Sequence, residues 1–317
     1  MTDLTSPIFH DEQAAREHFE KLRWPNGRTC PHCGEVDNST LMQGKSHRPG
    51  LYKCKGCEKP FTATMGTVFE SSKLPLTKWL LAVQLMVSSK KGISAAQLQR
   101  NLGLGSYRTA WFVAHRIREA MREGSLETPM GGGGGDVEAD ETFIGRDSDV
   151  PESRLPYRSM CKVLTLVDRD TGRARSFVMD HLSAKTIAPI LQENIAKEAR
   201  LITDEAAHYR ALGKDFAAHG SVSHARDEYV SREDRTINTQ TIEGFFAIFK
   251  RGMRGIYQHC AKRHLHRYMA EFDFRYTHRI ARGVDDDMRA AKAITGAIGK
   301  RLKYQRPCGP ETAALAG

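Results

Sequence analysis

Four residues of this chain have the types and spacing that chemistry on a phosphodiester requires. Asp140 lies in VEADETFIG, Asp204 in LITDEAAHY, and Glu243 and Lys250 in TIEGFFAIFK. If the three acids converge, their oxygens can hold two divalent cations roughly 4 Å apart, an arrangement suited to phosphoryl transfer. Two turns of α-helix take about seven residues, so Glu243 and Lys250 project from one side of a helix whose apolar stripe is Ile242, Phe246 and Phe249. Each acid has an ordinary alternative. Asp140 lies beside Glu138 and Glu141 and could belong to an acidic strand edge, Asp204 could cap the next helix, and Glu243 with Lys250 could be surface charge.

A second constellation is built from sulfur. Cys30 and Cys33 form one Cys-x-x-Cys pair and Cys54 and Cys57 another, the spacing of a four-thiolate site for one structural Zn²⁺. Cys161, Cys260 and Cys308 stand singly, and an odd total of seven in a chain without an export signal points to reduced thiols. The cysteine segment is too short to bury a core, so metal must largely hold it together. His259 and His264 have no accompanying cysteine pair and are not read as ligands.

The elements that must position these groups follow from pattern. The sequence predicts a unit over 1–66 comprising an N-terminal helix and the zinc ribbon, then a helical module over 67–129. The latter contains an apolar helix over 76–89 and a helix, Gly-containing turn and helix over 93–121, the pattern of a helix-turn-helix. Arg116 and Arg118, with Arg108 and His115, ride on its second helix and are expected to reach base edges. MGGGGGD over 130–136 reads as a flexible linker. Residues 137–290 then give three antiparallel strands followed by alternating helices and strands, the last strand being HARDEYV, and 291–317 read as a C-terminal tail. The fold class is α/β, a mixed sheet with flanking helices.

Lys and Arg total 48 against 38 Asp and Glu, a net charge of +10, with a pI near 9.3; a polyanion such as nucleic acid is the matching partner. After Lys250, the cations Arg251, Arg254, Lys262, Arg263, Arg267, Arg275 and Arg279 alternate with aromatic residues, and are expected to track phosphates. No apolar run approaches a membrane span and the first residues lack a secretory pattern, which predicts a soluble cytoplasmic protein.

Taken with RWPNGRTCPHCGE, YKCKGCEKPFTATMGTVFESSKLPLTKW and the block from Thr241 to Arg279, these motifs resemble the zinc-ribbon DDE transposases of bacterial insertion sequences. The resemblance implies an RNase H-like catalytic domain, with Asp140, Asp204 and Glu243 as ligands of two Mg²⁺ or Mn²⁺ ions. It implies Lys250 as a contact to the element's end, double-stranded terminal repeats and target DNA as partners, a homo-oligomer in the synaptic complex, and a place at the bacterial nucleoid. Two other readings stay open on the residues alone: a DNA-binding regulator of the same descent that has lost catalysis, and an RNase H-like nuclease.

Overall fold

The computed structural model of the chain describes residues 3–124, 128–153, 155–223 and 230–302. Helix α1 (Glu12–Arg23) begins at Asp11, whose carboxylate accepts the Gln13 amide, and Phe19 anchors it edge-on against Phe69. Three short strands, β1 (Ser39–Leu41), β2 (Tyr52–Cys54) and β3 (Pro60–Phe61), pair antiparallel in that order. Their interior is little more than Cys30, Tyr52, Cys54 and Phe61 beside Trp24. So small an apolar core leaves the metal to supply much of the stability.

Helix α2 (Leu76–Ser88) is apolar on nearly every side and is buried accordingly. Helix α3 (Ala95–Leu102) ends at Gly103, whose φ of 58° is left-handed, and α4 (Tyr107–Met121) starts at Ser106, whose hydroxyl accepts the Thr109 amide. These two helices form the expected helix-turn-helix outline.

The main sheet comprises β4 (Asp136–Ile144), β5 (Cys161–Asp168) and β6 (Ala174–Met179), then, after α5 (Ala184–Asn194), strand β7 (Arg200–Asp204), and after α6 (Ala207–Leu212), strand β8 (Ala218–Val222). Its order is β6-β5-β4-β7-β8; β4, β5 and β6 are antiparallel, while β7 and β8 continue parallel to β4. Strand β8 precedes the predicted fifth strand, whose residues 224–229 lie outside the described ones. Helices α7 (Gln240–Gly252) and α8 (Lys262–Thr277), joined by a π turn at Met253–Tyr257, and α9 (Asp286–Thr295) complete the chain described.

Period-two alternation along β4 and β5 sends Val137, Ala139, Leu164 and Leu166 to one face, under Ile187 and Leu191 of α5 and Tyr209 of α6. Ile144, Val163 and Val167 go to the other face, under Ile242, Phe245 and Phe249 of α7 and Leu265, Met269 and Phe272 of α8. The result is the mixed, helix-flanked RNase H-like arrangement the sequence predicted. The outer edge of β6 is closed by α8: Thr277 accepts the Ala174 amide at 3.1 Å and Asp273 accepts the Ser176 amide at 2.9 Å. No helix among the described residues is long and apolar enough to cross a membrane.

Two organisational expectations are corrected by the packing. The glycine run is docked, not free: Gly131 donates to Asp168 at 3.0 Å, Met130 is buried and exchanges backbone hydrogen bonds with Asn194 and Ala196, and a Cβ on Gly131 would lie 2.6 Å from that of Ala199. Nor do residues after 290 begin as a tail. Ala290, Ala293, Ile294 and Ala297 share one core with α1, α2, α3 and α4, and Ile298 bridges to Thr67. The ribbon helix, the helical module and the C-terminal helix therefore pack as one body.

Candidate active site

Asp140 is carried by the centre of β4, on the face that also bears Glu138 and Ile144. Strand β7 runs parallel to β4 with Glu138 opposite Ile202, so extending that register by two residues brings Asp204 level with Asp140. Asp204 also accepts the Ala206 amide at 2.9 Å, so it caps the following turn as well. Glu243 stands in the first turn of α7, where the Thr239 hydroxyl donates to it at 2.8 Å.

The start of α7 is fixed by an acid that was read only as a neighbour of Asp140. Glu138 is fully buried; one carboxylate oxygen accepts the Ile242 amide at 2.7 Å and the other accepts Arg169 Nε at 2.5 Å. Arg169 in turn donates to the carbonyls of Thr236 and Asn238 at 2.5 Å each. Strand β4 thus carries both Asp140 and the anchor for the helix that brings Glu243. The available signal was Glu138 itself, two residues before Asp140 on one strand face.

Burial pushes the Asp140 carboxyl up to about 8, and the charges of Glu141, Asp204 and Glu243 push the same way against one favourable hydrogen bond from the Glu141 amide. Asp204 and Glu243 therefore both lie near enough to Asp140 to disfavour its charge. An oxygen-only donor set whose members crowd their own charges fits hard divalent cations such as Mg²⁺ or Mn²⁺. Beside it, Glu141 turns to the opposite face, accepting a hydrogen bond from Tyr209 at 2.7 Å and pairing with His208 at 2.9 Å. That hydrogen bond raises the His208 imidazole above its ordinary value. Sequence reasoning missed His208 and Tyr209, although they follow Asp204 by four and five positions.

The zinc expectation has a direct geometric counterpart. The sulfurs of Cys30, Cys33, Cys54 and Cys57 all lie within 4.8 Å of one another, with Cys30 to Cys57 at 3.8 Å and Cys33 to Cys54 at 3.6 Å. A Zn²⁺ with four thiolates at about 2.3 Å spaces its sulfurs about 3.8 Å apart. Among the described residues no other group of metal-ligating side chains is so arranged.

The expected DNA-facing cations divide in two. Lys250 is half-buried with Nζ 5.9 Å from the Phe246 ring, Arg251 is exposed at the end of α7, and Arg254 is exposed in the π turn that follows. Arg116 and Arg118, expected at base edges, are internal, only 7% and 2% exposed. Arg116 lies over Trp79 and donates to the Glu70 carbonyl at 2.5 Å, while Arg118 donates to Glu271 at 2.6 Å. Every residue of α4 from Val113 to Met121 is buried, so both arginines are enclosed although they leave opposite sides of the helix. The exposed part of α4 is its first turn, Tyr107, Arg108 and Thr109. Several cations of α8 are likewise engaged: Lys262 bridges Asp147 and Asp180, and Arg275 is buried against Glu271.

Comparison with known proteins covers both parts of the molecule. A model of the ISXO2-like transposase domain matches residues 133–277, which contain Asp140, Asp204, Glu243 and Lys250. A model of the transposase zinc-ribbon domain matches residues 10–60, which contain the four clustered cysteines. Over 291 residues the chain is 28% identical to an uncharacterised protein in the transposable element ISH50 of Halobacterium salinarum, an alignment covering 84% of this chain and 91% of that protein.

Proposed function

Because the chain belongs to the insertion-sequence transposases with an N-terminal zinc ribbon, we propose that it cuts DNA at the ends of its own element and joins those ends to target DNA. What supports this reading is that the strand register sets Asp204 level with Asp140 while the first turn of α7 carries Glu243, and that both acids help to raise the Asp140 carboxyl. In the first reaction water attacks phosphorus, the bond to the 3′ oxygen breaks, and that oxygen leaves as a hydroxyl. In the second, the new 3′-hydroxyl attacks a target phosphodiester and displaces a target 3′-hydroxyl. Neither displacement needs a covalent link to the protein.

Two divalent cations held by the three acids would supply Lewis acidity at the attacking and leaving oxygens. The protein contributes rigidity. Asp140 is fixed by the centre of a sheet, Asp204 by the turn it caps, and Glu243 by Thr239 and by the clamp of Glu138 and Arg169 on α7. Lys250, Arg251 and Arg254 lie down the same helix and its continuation, where they meet phosphates of the bound end. Sequence is read by the exposed first turn of α4, the part of a helix-turn-helix that enters a major groove, in place of Arg116 and Arg118. Two element ends must be handled together, which calls for a homo-oligomer.

The test is Mg²⁺-dependent cleavage of a duplex carrying the repeats that flank the gene. Asp140→Asn, Asp204→Asn and Glu243→Gln should each lower cleavage by orders of magnitude while duplex binding and zinc content persist. Near-normal cutting by any one of them would remove that acid from the site.

A further inference from the structure

The turn Lys90-Lys91-Gly92, between α2 and α3, belongs by sequence to the helical module yet lies against the helix of the active site. A Cβ on Gly252 of α7 would come within 2.6 Å of the Lys91 carbonyl oxygen, and one on Gly92, whose φ is 101°, would strike the Tyr257 hydroxyl. Only glycine permits so close an approach at either point. Lys90 also lines a groove of about 600 Å³ whose other wall includes Gly244 and Ile248 of α7. Each residue turns a helix by about 100°, which places Arg251 on the flank between the Glu243 edge and the edge of Gly244, Ile248 and Gly252 that meets the turn.

Exposed Lys90 and Lys91 therefore continue the cationic surface formed by Lys250, Arg251 and Arg254. Two acids by the turn are already engaged: Asp286 on the groove is bound to Arg289 at 2.6 Å, and Glu271 beneath is paired with Arg118 and Arg275. Between Glu70 and Glu119 the sequence contains no Asp or Glu, and Arg100 and Arg108 lie exposed further along that acid-free stretch. From the contact of this turn with α7 and the charge around it, we infer that Lys90 and Lys91 are phosphate contacts for duplex DNA, continuing the track beside the active site toward the helix-turn-helix. The inference rests on the proposed function and adds to it a surface on a different module.

A phosphate contact carries no sequence information and releases counterions, so its signature is the salt dependence of binding. The experiment measures the affinity of the full chain for a random-sequence duplex and for an element-end duplex across a salt series. Lys90→Ala/Lys91→Ala should flatten the slope of log affinity against log salt by about 1.8 on both duplexes, roughly 0.9 per lost contact. Lys90→Arg/Lys91→Arg should keep the wild-type slope. Lys185→Ala/Lys197→Ala removes the same charge on and just after α5, across the sheet from α7, and should also leave the slope unchanged. An unchanged slope in the Lys90/Lys91 double variant, with wild type binding and cutting normally, overturns the inference and spares the proposed function. Equal flattening by the Lys185/Lys197 variant overturns it as an effect of net charge. Absence of salt-dependent duplex binding in the wild type overturns both.

Discussion

Two acids of this molecule are withdrawn from water and are treated in opposite ways. Glu271, on α8, accepts Arg118 Nε at 2.6 Å, the Tyr257 hydroxyl at 2.5 Å and the Arg275 guanidinium. Burial disfavours its charge, but Arg275 and Arg118 outweigh that and hold the carboxyl below its usual range. Asp140 is half-buried, and the charged groups bearing on it are the acids Glu141, Asp204 and Glu243, so it rises to about 8. Compensated burial marks a joint: Arg118 on α4 and Glu271 on α8 tie the helical module to the helix that edges the main sheet. Crowded burial marks a place where the fold accepts a cost that a bound cation can relieve.

The comparison should separate sharply in stability. Glu271→Gln leaves two buried guanidiniums facing a neutral amide, a change of the class that costs about 3 to 5 kcal/mol. Set against the roughly 5 to 15 kcal/mol that holds most domains together, this should strongly destabilise the joint between α4 and α8. Asp140→Asn should act in the opposite direction, raising the melting temperature of protein kept free of Mg²⁺ while abolishing cleavage. Chemical denaturation of both variants checks the contrast. If Asp140→Asn destabilises as much as Glu271→Gln, Asp140 is a structural acid and the distinction collapses.

Glu138 sharpens the comparison because it is a compensated acid inside the crowded site. It is expected to act through position: Glu138→Gln keeps an acceptor for the Ile242 amide but loses the charge-assisted bond to Arg169. The cleavage rate constant should fall about 10- to 100-fold, the range seen when groups behind a metal ligand are changed, with duplex affinity unchanged. Glu138→Asp should not restore the rate, since its shorter side chain cannot reach both partners. A fall in duplex affinity equal to the fall in rate would place Glu138 in DNA binding instead.

The zinc constellation was legible because its chemistry demands fixed residue types at fixed places. Two Cys-x-x-Cys pairs admit few other uses, whereas acids on a strand centre, a strand end and a helix start gain meaning only from the sheet register and the helix that bring them near one another. The direction of an arginine was not legible. The second half of α4 is buried on every side, and the acid that receives Arg118 lies 153 residues away, so periodicity alone reads a solvated cation where the structure buries one. The glycine run was misread for a related reason: its entropy is local, but Asp168 and Ala199, which dock it, are not. Strand β8, AHGSV, has a weak strand pattern and owes its extended form to parallel pairing with β7. The second half of α9 reads as tail because the core it completes begins far earlier in the chain, at α1.

The joint has one more group, whose effect is smallest at neutral pH. His115, fully buried on α4, packs 4.0 Å from the Trp111 ring and faces His264 and Tyr268 of α8, and neither ring nitrogen has a hydrogen-bond partner. Burial lowers its imidazole to about 2, and the charges of Arg118, Arg267, His264 and His266 act in the same direction. An imidazole held down in the folded state contributes stability that is present above its unfolded value of 6.5 and lost as pH falls below it, because the unfolded chain takes up a proton that the fold refuses. The loss is about 1.4 kcal/mol per pH unit for one such group, and it begins well above the range where Glu271 starts to protonate. His266 and His278, both lowered to about 4 chiefly by burial, add to the same slope. His115→Leu should leave stability near pH 7.5 close to wild type and make the decline between about pH 6 and pH 4.5 shallower by roughly one proton. Denaturation free energies measured at half-unit steps of pH supply the slopes. Identical slopes for the variant and wild type would mean that His115 gains its proton without leaving the fold, so that the joint opens to water there and is looser than the paired Glu271 implies.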